Sequence, residues 1–522
     1  MAQPSDLVLA HHWEEAGEPR RAIHHLDRAA SIAEAAQNAR EAADLLARAI
    51  RLDATLDEPH SPDVVAGWHR RAGEALFEFG DPRQAIAHFR AALAQLDRPL
   101  PEGVMLAPRL LAEFWRTRRQ PMGDGTPADR RARLLMAAEV LVRLSFLTYE
   151  LQRHFQASYC TFRSLTLAKQ AGGDSAALAI ANVNMALASC SLPLIDGARH
   201  RDYAVGMAER VDEPACTLFV GWTAAAYDTS MGRFDEAVTN VRRALAAGVA
   251  RRSARDVEAL QVTLANTYRV LGRHWLGVED LDAALASARD RGNVMYRIWS
   301  LGQLCRSHIA RGDLDAFHRH LAEYRTMMTD GDARATASDF NRVVHATSEA
   351  QAHLVAGDPH SAARWIDEAV GIAQKIAVPQ FYFMEVPGAL GDALLWAWRL
   401  SPSPGLARLA RRNARLARRL GRLYPGIGPQ IPMTRGDLAY LSGRHGAAGR
   451  HWRAAAAEAV ARGLPALEGQ ALGRLALPTT GADPDRARAE AEAAFARLGG
   501  TPPFPLRQVS WPPGPGPTKA LP

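Results

Sequence analysis

Apolar or small residues return every three to four positions through Trp68–Leu96: Ala72, Gly73, Leu76 and Phe79, then Ala85, Phe89, Ala92 and Leu93. That spacing lays each set along one face of a helix. Gly80-Asp81-Pro82 breaks the pattern. Pro82 fits the first turn of a helix, where its missing N–H is not needed. The stretch therefore predicts two amphipathic helices joined by a tight turn, with Gly73 and Ala85 small where the helices approach closely. Neither helix buries its face alone, so the pair needs neighbours.

The same turn signature recurs along the chain: a glycine, a small residue five later, a large apolar residue four beyond that, then a small one three further on. Gly17 leads to Ala22, Leu26 and Ala29, and Gly80 to Ala85, Phe89 and Ala92. Gly232 leads to Ala237, Val241 and Ala244, and Gly272 to Gly277, Leu281 and Ala284. Gly357 leads to Ala362, Ile366 and Ala369, and Gly443 to Ala448, Trp452 and Ala455. Gly312, with Phe317, Leu321 and Tyr324, is a degenerate member. From Gly232 to Gly272 and from Gly272 to Gly312 the interval is 40 residues. Self-similarity at such a period predicts a helical solenoid.

Trp68–Leu96 resembles the tetratricopeptide repeat (TPR), with Gly73, Leu76, Gly80, Ala85, Phe89 and Ala92 on that motif's small and large positions. The other units match over the turn and second helix only. The expected fold is an all-α solenoid, a superhelix of TPR-like helix pairs. Further helix pairs are expected in 134–169, with Gln152 where the turn glycine belongs, and in 176–210 around Pro193 and Gly197. Prolines and glycines between Arg98 and Asp129 mark a linker around a short helix, Ala107–Arg119. The expected domains are an N-terminal TPR-like block at 1–97, the Pro/Gly/Arg-rich linker at 98–129, the main array at 130–499 and a tail at 500–522. The tail, rich in proline, is expected to be disordered.

Composition narrows the chemistry. Positive charge is almost all arginine, since lysine occurs only at Lys169, Lys375 and Lys519. None of the three sits in a Gly-Lys-Ser/Thr P-loop. Cys160, Cys190, Cys216 and Cys305 are too scattered for a disulfide or zinc framework and read as small buried residues. The N-terminus shows no signal-peptide pattern. Phe381–Leu400, the most apolar stretch, is interrupted by Glu385, Pro387 and Asp392, too often for a bilayer span. Its aromatic residues, with Trp396 and Trp398, read as core packing. A soluble, cytoplasmic protein is expected. His200-Arg201-Asp202 imitates a kinase catalytic loop, but Met207 stands where a metal-binding asparagine belongs. No H-E-x-x-H or G-x-S-x-G occurs, and the histidine pairs point to different helix faces. No catalytic residue, cofactor or metal ligand is assigned.

The order of segments carries a larger resemblance. LAHHWEEAGEPRRAIHHLDRAASIAEAA from Leu9 is followed by REAADLLARAIRL from Arg40, then the Trp68 unit, a basic proline-rich connector and a long array. This is similar to the C-terminal repeat region of bacterial signalling P-loop ATPases that carry a class III adenylyl cyclase or Ser/Thr kinase domain. The resemblance covers roughly Leu9–Tyr324. It implies a protein–protein interaction scaffold or regulatory arm, not itself an enzyme, or else the C-terminal fragment of a larger adenylyl cyclase or kinase. The implied partner is a protein, as a peptide or helix in the groove, and specifically an ATPase, cyclase or kinase domain.

Two surfaces are candidates for binding it. First helices are expected to project Arg70, Glu74, Asn266, Arg269, Arg306 and Gln351 into the groove, where arginine suits partner carboxylates. The segment Leu406–Leu423 places Arg408, Arg411, Arg412, Arg415, Arg418, Arg419 and Arg422 along one helical stripe opposite a leucine face. Such a stripe suits an acidic partner or serves as a solvated outer face. Nucleic acid is disfavoured by the modest net charge of +7 and the lack of basic–aromatic interleaving.

Overall fold

The computed structural model describes residues 5–192, 194–251, 254–376 and 380–510. Among the described residues all regular structure is helical. The chain divides into two compact units, Met1–Val220 with Arg291–Asn293, and Gly221–Asp290 with Val294–Pro522. Unit 1 runs through α1 (Asp6–Glu15), α2 (Pro19–Ala35), α3 (Ala39–Asp53), α4 (Pro62–Phe79), α5 (Pro82–Gln95), α6 (Leu106–Arg119), α7 (Ala128–Glu150), α8 (His154–Ala171), α9 (Ala176–Ser189) and α10 (Gly197–Val211). The division falls within α11 (Pro214–Met231). Unit 2 continues with α12 (Phe234–Arg251), α13 (Ala254–Val270), α14 (Val278–Asp290), α15 (Val294–Arg311), α16 (Leu314–Thr329), α17 (Gly331–Thr336), α18 (Asp339–Val355), α19 (Pro359–Lys375), α20 (Val386–Leu400), α21 (Pro404–Leu423), α22 (Gln430–Leu441), α23 (His445–Ala461), α24 (Pro465–Leu475), α25 (Pro484–Ala496) and α26 (Phe504–Ser510).

Within each unit consecutive helices pack as pairs, and first helices of adjacent pairs also touch, as α7 does α9 and α18 does α20. This is the two-layer stacking of a TPR-like α-solenoid.

The turns explain why the pairs form where they do. Gly80 takes φ +97°, a left-handed conformation open to glycine at no steric cost. Its N–H and that of Asp81 both bond back to the Leu76 carbonyl, at 3.0 and 2.9 Å. Asp81 then caps α5 by accepting from the Gln84 N–H at 3.0 Å, and Pro82 opens the helix. Gly357-Asp358-Pro359 repeats the device in unit 2: Gly357 has φ +75°, and Asp358 accepts from the Ser361 N–H at 3.0 Å. Gln152 takes φ +61° in the turn where it replaces glycine.

The positions that follow each turn glycine form the core. Ala85, Phe89 and Ala92 are wholly buried, as are Ala237, Val241 and Ala244, and Ala448, Trp452 and Ala455. At Gly73 an added Cβ would lie 2.7 Å from the Phe89 ring, so the close approach of α4 and α5 requires the missing side chain. Gly277 differs from its counterparts. It adopts φ +79°, and α14 starts only at Val278.

The segment 98–129 holds α6, whose Thr117 hydroxyl bonds the Phe162 carbonyl and Thr166 of α8 at 3.0 and 2.8 Å. Further on, the expectation of a disordered tail fails for 504–510, which form α26. Leu506 is fully buried against Phe495 and Ala466, and the Phe504 ring meets Trp396 at 5.7 Å. Arg488 donates to the Ser510 carbonyl at 2.9 Å and Arg399 to that of Val509 at 3.3 Å, satisfying carbonyls that a short helix leaves open. Proline content concealed two apolar anchors. Residues 511–522 lie outside the described residues.

The four cysteines are buried, and none is joined in a disulfide. Burial pushes Cys160 and Cys216 up to about 12, which keeps both as thiols. No helix of the described residues is long and apolar enough to cross a membrane. Phe381–Leu400 is core instead: Phe381, Tyr382 and Phe383 are buried, with Tyr382 edge-on to Trp299 at 4.5 Å.

Candidate functional site

The expected groove residues fall into two groups. In unit 1, Arg70 and Glu74 sit one turn apart on α4. On α7, Glu139 and Arg143 sit one turn apart as well. Glu74 accepts from Arg143 at 2.9 Å, and Arg70 faces Glu139 at 3.9 Å. The two pairs share one offset, so α4 and α7 run parallel and their charges alternate in a ladder. All four remain in water, with side-chain exposures of 33% for Arg70, 29% for Glu74, 47% for Glu139 and 24% for Arg143.

Beneath the ladder lies an aromatic row. Phe146 meets Phe77 edge-on at 5.8 Å and Phe219 at 6.3 Å, and Arg143 lies over both flanking rings. Burial raises the Glu139 carboxyl pKa, with Arg70 opposing and Glu74 and Glu213 adding to the rise. The Glu139 carboxyl is thus half-exposed while its surroundings disfavour its charge.

In unit 2 the same residue types are sealed in. Asn266, Arg269, Arg306 and Gln351 are all buried. Arg269 is gripped by Glu385 at 2.8 and 3.1 Å, by Asn266 at 3.0 Å and by Gln303. Arg306 reaches Glu385 at 2.5 Å. The carboxylate that these arginines hold is the chain's own. Burial works to raise Glu385, but Arg269 and Arg306 outweigh it and hold the carboxyl below its ordinary range. Burial and the neighbouring Arg269 push Arg306 down to about 10.

A second buried ion cluster joins α20, α22 and α24. Arg474 lies between Asp392 at 2.8 Å and Asp437 at 2.9 Å, and the Trp452 indole N–H also donates to Asp437 at 3.0 Å. Both clusters border one cavity of about 90 Å³, walled by α13, α15, α18, α20, α22 and α24 and by His274, Pro503 and Pro505. Sequence reasoning missed Glu385, Asp392, Asp437 and Arg474. For Glu385 and Asp392 the available signal is charge inside the apolar stretch Phe381–Leu400, while Asp437 and Arg474 lie in mixed helices that carry no such signal.

The basic stripe is divided in use. Arg412 donates to Gln374 at 3.0 Å and also pairs with Asp367, and Arg419 donates to the Ala373 carbonyl at 2.8 Å. These two fasten α21 to α19. Arg408, Arg411, Arg415, Arg418 and Arg422 are exposed, while Leu406, Leu416 and Leu420 fill the core.

No family model matches the chain, and no curated protein matches it in sequence. Some solved structures align with it at low scores. Rap protein complexed with competence and sporulation factor is 16% identical, with 72% of this chain and 99% of that one covered and a TM-score of 0.40. Yeast Tom70 is 12% identical over 95% and 96%, with a TM-score of 0.34. A circular tandem repeat protein with novel repeat topology is 14% identical over 97% and 95%, with a TM-score of 0.14. At these scores the likeness adds nothing to the helical-repeat character that the helix pairs already display.

Proposed function

We propose that the chain is a non-catalytic scaffold that receives a segment of a partner protein on the inner face of unit 1. The observation that supports this is the half-exposed ladder of Arg70, Glu74, Glu139 and Arg143 above an aromatic row. Half-exposed ion pairs are worth about 0–1 kcal/mol each. A partner's charged side chains therefore exchange with them at little cost, and the surrounding protein favours the new pairs over water. The buried pairs of unit 2 offer no such exchange, because opening them exposes desolvated charge.

The finer reading follows the order of segments: a cytoplasmic regulatory arm of a bacterial signalling system, acting on an ATPase, cyclase or kinase domain. The same order favours a second reading, in which the chain is the C-terminal part of a multidomain adenylyl cyclase or kinase.

Affinity capture from the native host, with mass spectrometry and ATPase and cyclase assays on the eluate, tests the proposal. The wild type should retain a partner that a Glu74→Arg/Glu139→Arg variant loses, while circular dichroism shows the same helical fold. Equal recovery by both would overturn it. Nucleotide-processing activity in the wild-type eluate supports the finer reading, and a partner without it removes that reading.

A further inference from the structure

The cavity of unit 2 has opposite charge at its two ends. Glu385 and Asp392 are seven residues apart, so with Gly388 and Ala389 they line one face at the start of α20, about 10 Å apart along the axis. At the Glu385 end two guanidinium groups, Arg269 and Arg306, share one carboxylate, an excess of one positive charge. At the Asp392 end two carboxylates, Asp392 and Asp437, share the guanidinium of Arg474, an excess of one negative charge.

Polar groups between and beside these ends lack partners in the protein. Arg306 is 9% exposed, and its Nη1 makes no hydrogen bond. Gln351 and Gln430 are 5% and 4% exposed, and each leaves its amide oxygen unbonded. All three line the cavity. Buried polar groups cost free energy unless something meets them, and most in folded proteins are met. The unmet groups here converge on one space, the mark of a ligand site.

We propose that this cavity binds a small zwitterion of amino-acid size, its anionic group received by Arg306 and its ammonium group by Asp392, with the Gln351 and Gln430 amide oxygens accepting from its N–H groups. The cavity volume of about 90 Å³ admits a small molecule and excludes a folded segment. A neutral or singly charged ligand leaves one end uncompensated. Burial raises Asp392 to about 6, with Arg474 opposing and Asp437 adding to the rise. A ligand ammonium supplies the second positive charge that this end lacks. The site is separate from the partner face of unit 1 and stands or falls independently of it.

The test is thermal shift and calorimetry on the full chain. The probes are the small free amino acids glycine, L-alanine and β-alanine, beside N-acetyl-L-alanine and L-alaninamide. At least one free-ended probe should raise the melting temperature and bind, and blocking either end should remove the effect. Gly388→Leu should abolish binding by filling the cavity. An added Cβ at Gly388 lies 3.6 Å from Gln430, an ordinary contact, so the helix itself tolerates substitution there. Gln351→Leu, which keeps volume and removes one unbonded acceptor, should weaken binding about tenfold. Absence of binding by every free-ended probe would overturn the proposal. So would equal binding of the blocked forms, or binding unaffected by both Gly388→Leu and Gln351→Leu.

Discussion

Arg70 and Arg269 occupy the same kind of position, on the first helix of a repeat, and meet different fates. Arg70 keeps 33% of its side chain in water and meets Glu139 at 3.9 Å. Arg269 is 2% exposed and bonded twice to Glu385. The difference is set by what stands opposite. In unit 1 the facing helix offers charges of its own ladder, and water reaches them. In unit 2 the chain turns Glu385 inward ahead of α20, and Pro503 with Pro505 of α26 adds a wall. One residue type thus forms a surface that exchanges partners and, elsewhere, a fixed structural joint.

The largest effect follows from that contrast. Glu385→Ala strands two buried guanidinium groups and should cost about 3–5 kcal/mol, whereas Glu139→Ala should cost no more than about 1 kcal/mol. Denaturant midpoints of the full chain read both, and equal shifts would break the comparison.

Next in size is α26. Leu506→Ala removes its fully buried anchor and should cost about 2–4 kcal/mol. Limited proteolysis should then cut within 500–510, with unit 1 fragments unchanged. A tail that stays protected would contradict its role as a wall.

Where the units are alike, effects should match. Gly80→Val and Gly357→Val each force a β-branched residue into a left-handed turn, at a cost of about 1–2 kcal/mol. Gly80→Val should be the worse, since its Cβ would also meet Asn293 at 3.1 Å, while Gly357 has open space. Ala85→Trp, which overpacks the wholly buried α4–α5 contact, should cost about 1–3 kcal/mol. Unchanged melting in all three would invalidate the repeat register.

The remaining effect is on acid stability. Burial holds His69 and His200 of unit 1 at about 4, below the ordinary 6.5, with His88 and Lys169 as lesser causes. Between those values the unfolded chain binds protons that the folded chain refuses. This contribution is complete above pH 6.5 and is lost as pH falls towards 4. His274 of unit 2, also held at about 4 by burial, acts the same way. Asp392, raised to about 6 by burial, acts in reverse and adds stability as pH falls below 6. Melting against pH should therefore fall through this window, and His69→Gln with His200→Gln should flatten the slope.

The helix pairs were legible because turn and core obey local rules. The Gly-Asp-Pro turn needs a left-handed glycine, a cap and a proline in sequence, and the apolar period names the buried face. The site was legible only by half. Arg70, Glu74, Arg269 and Arg306 were placed on first helices by period alone, but period cannot say what lies opposite. Glu385 is 116 residues from Arg269, and Asp437 is 37 from Arg474. Partners at that separation depend on how the repeats stack. Within the tail only 504–510 depart from the expectation, because two apolar anchors, Phe504 and Leu506, outweigh the proline content there.

The central claim is that the inner face of unit 1 is the partner surface. A photo-crosslinking residue placed at position 139, and separately at the exposed position 411 on α21, tests it in the native host. The account predicts a discrete crosslinked partner from position 139 and none from 411. A partner captured from 411, with none from 139, would contradict it.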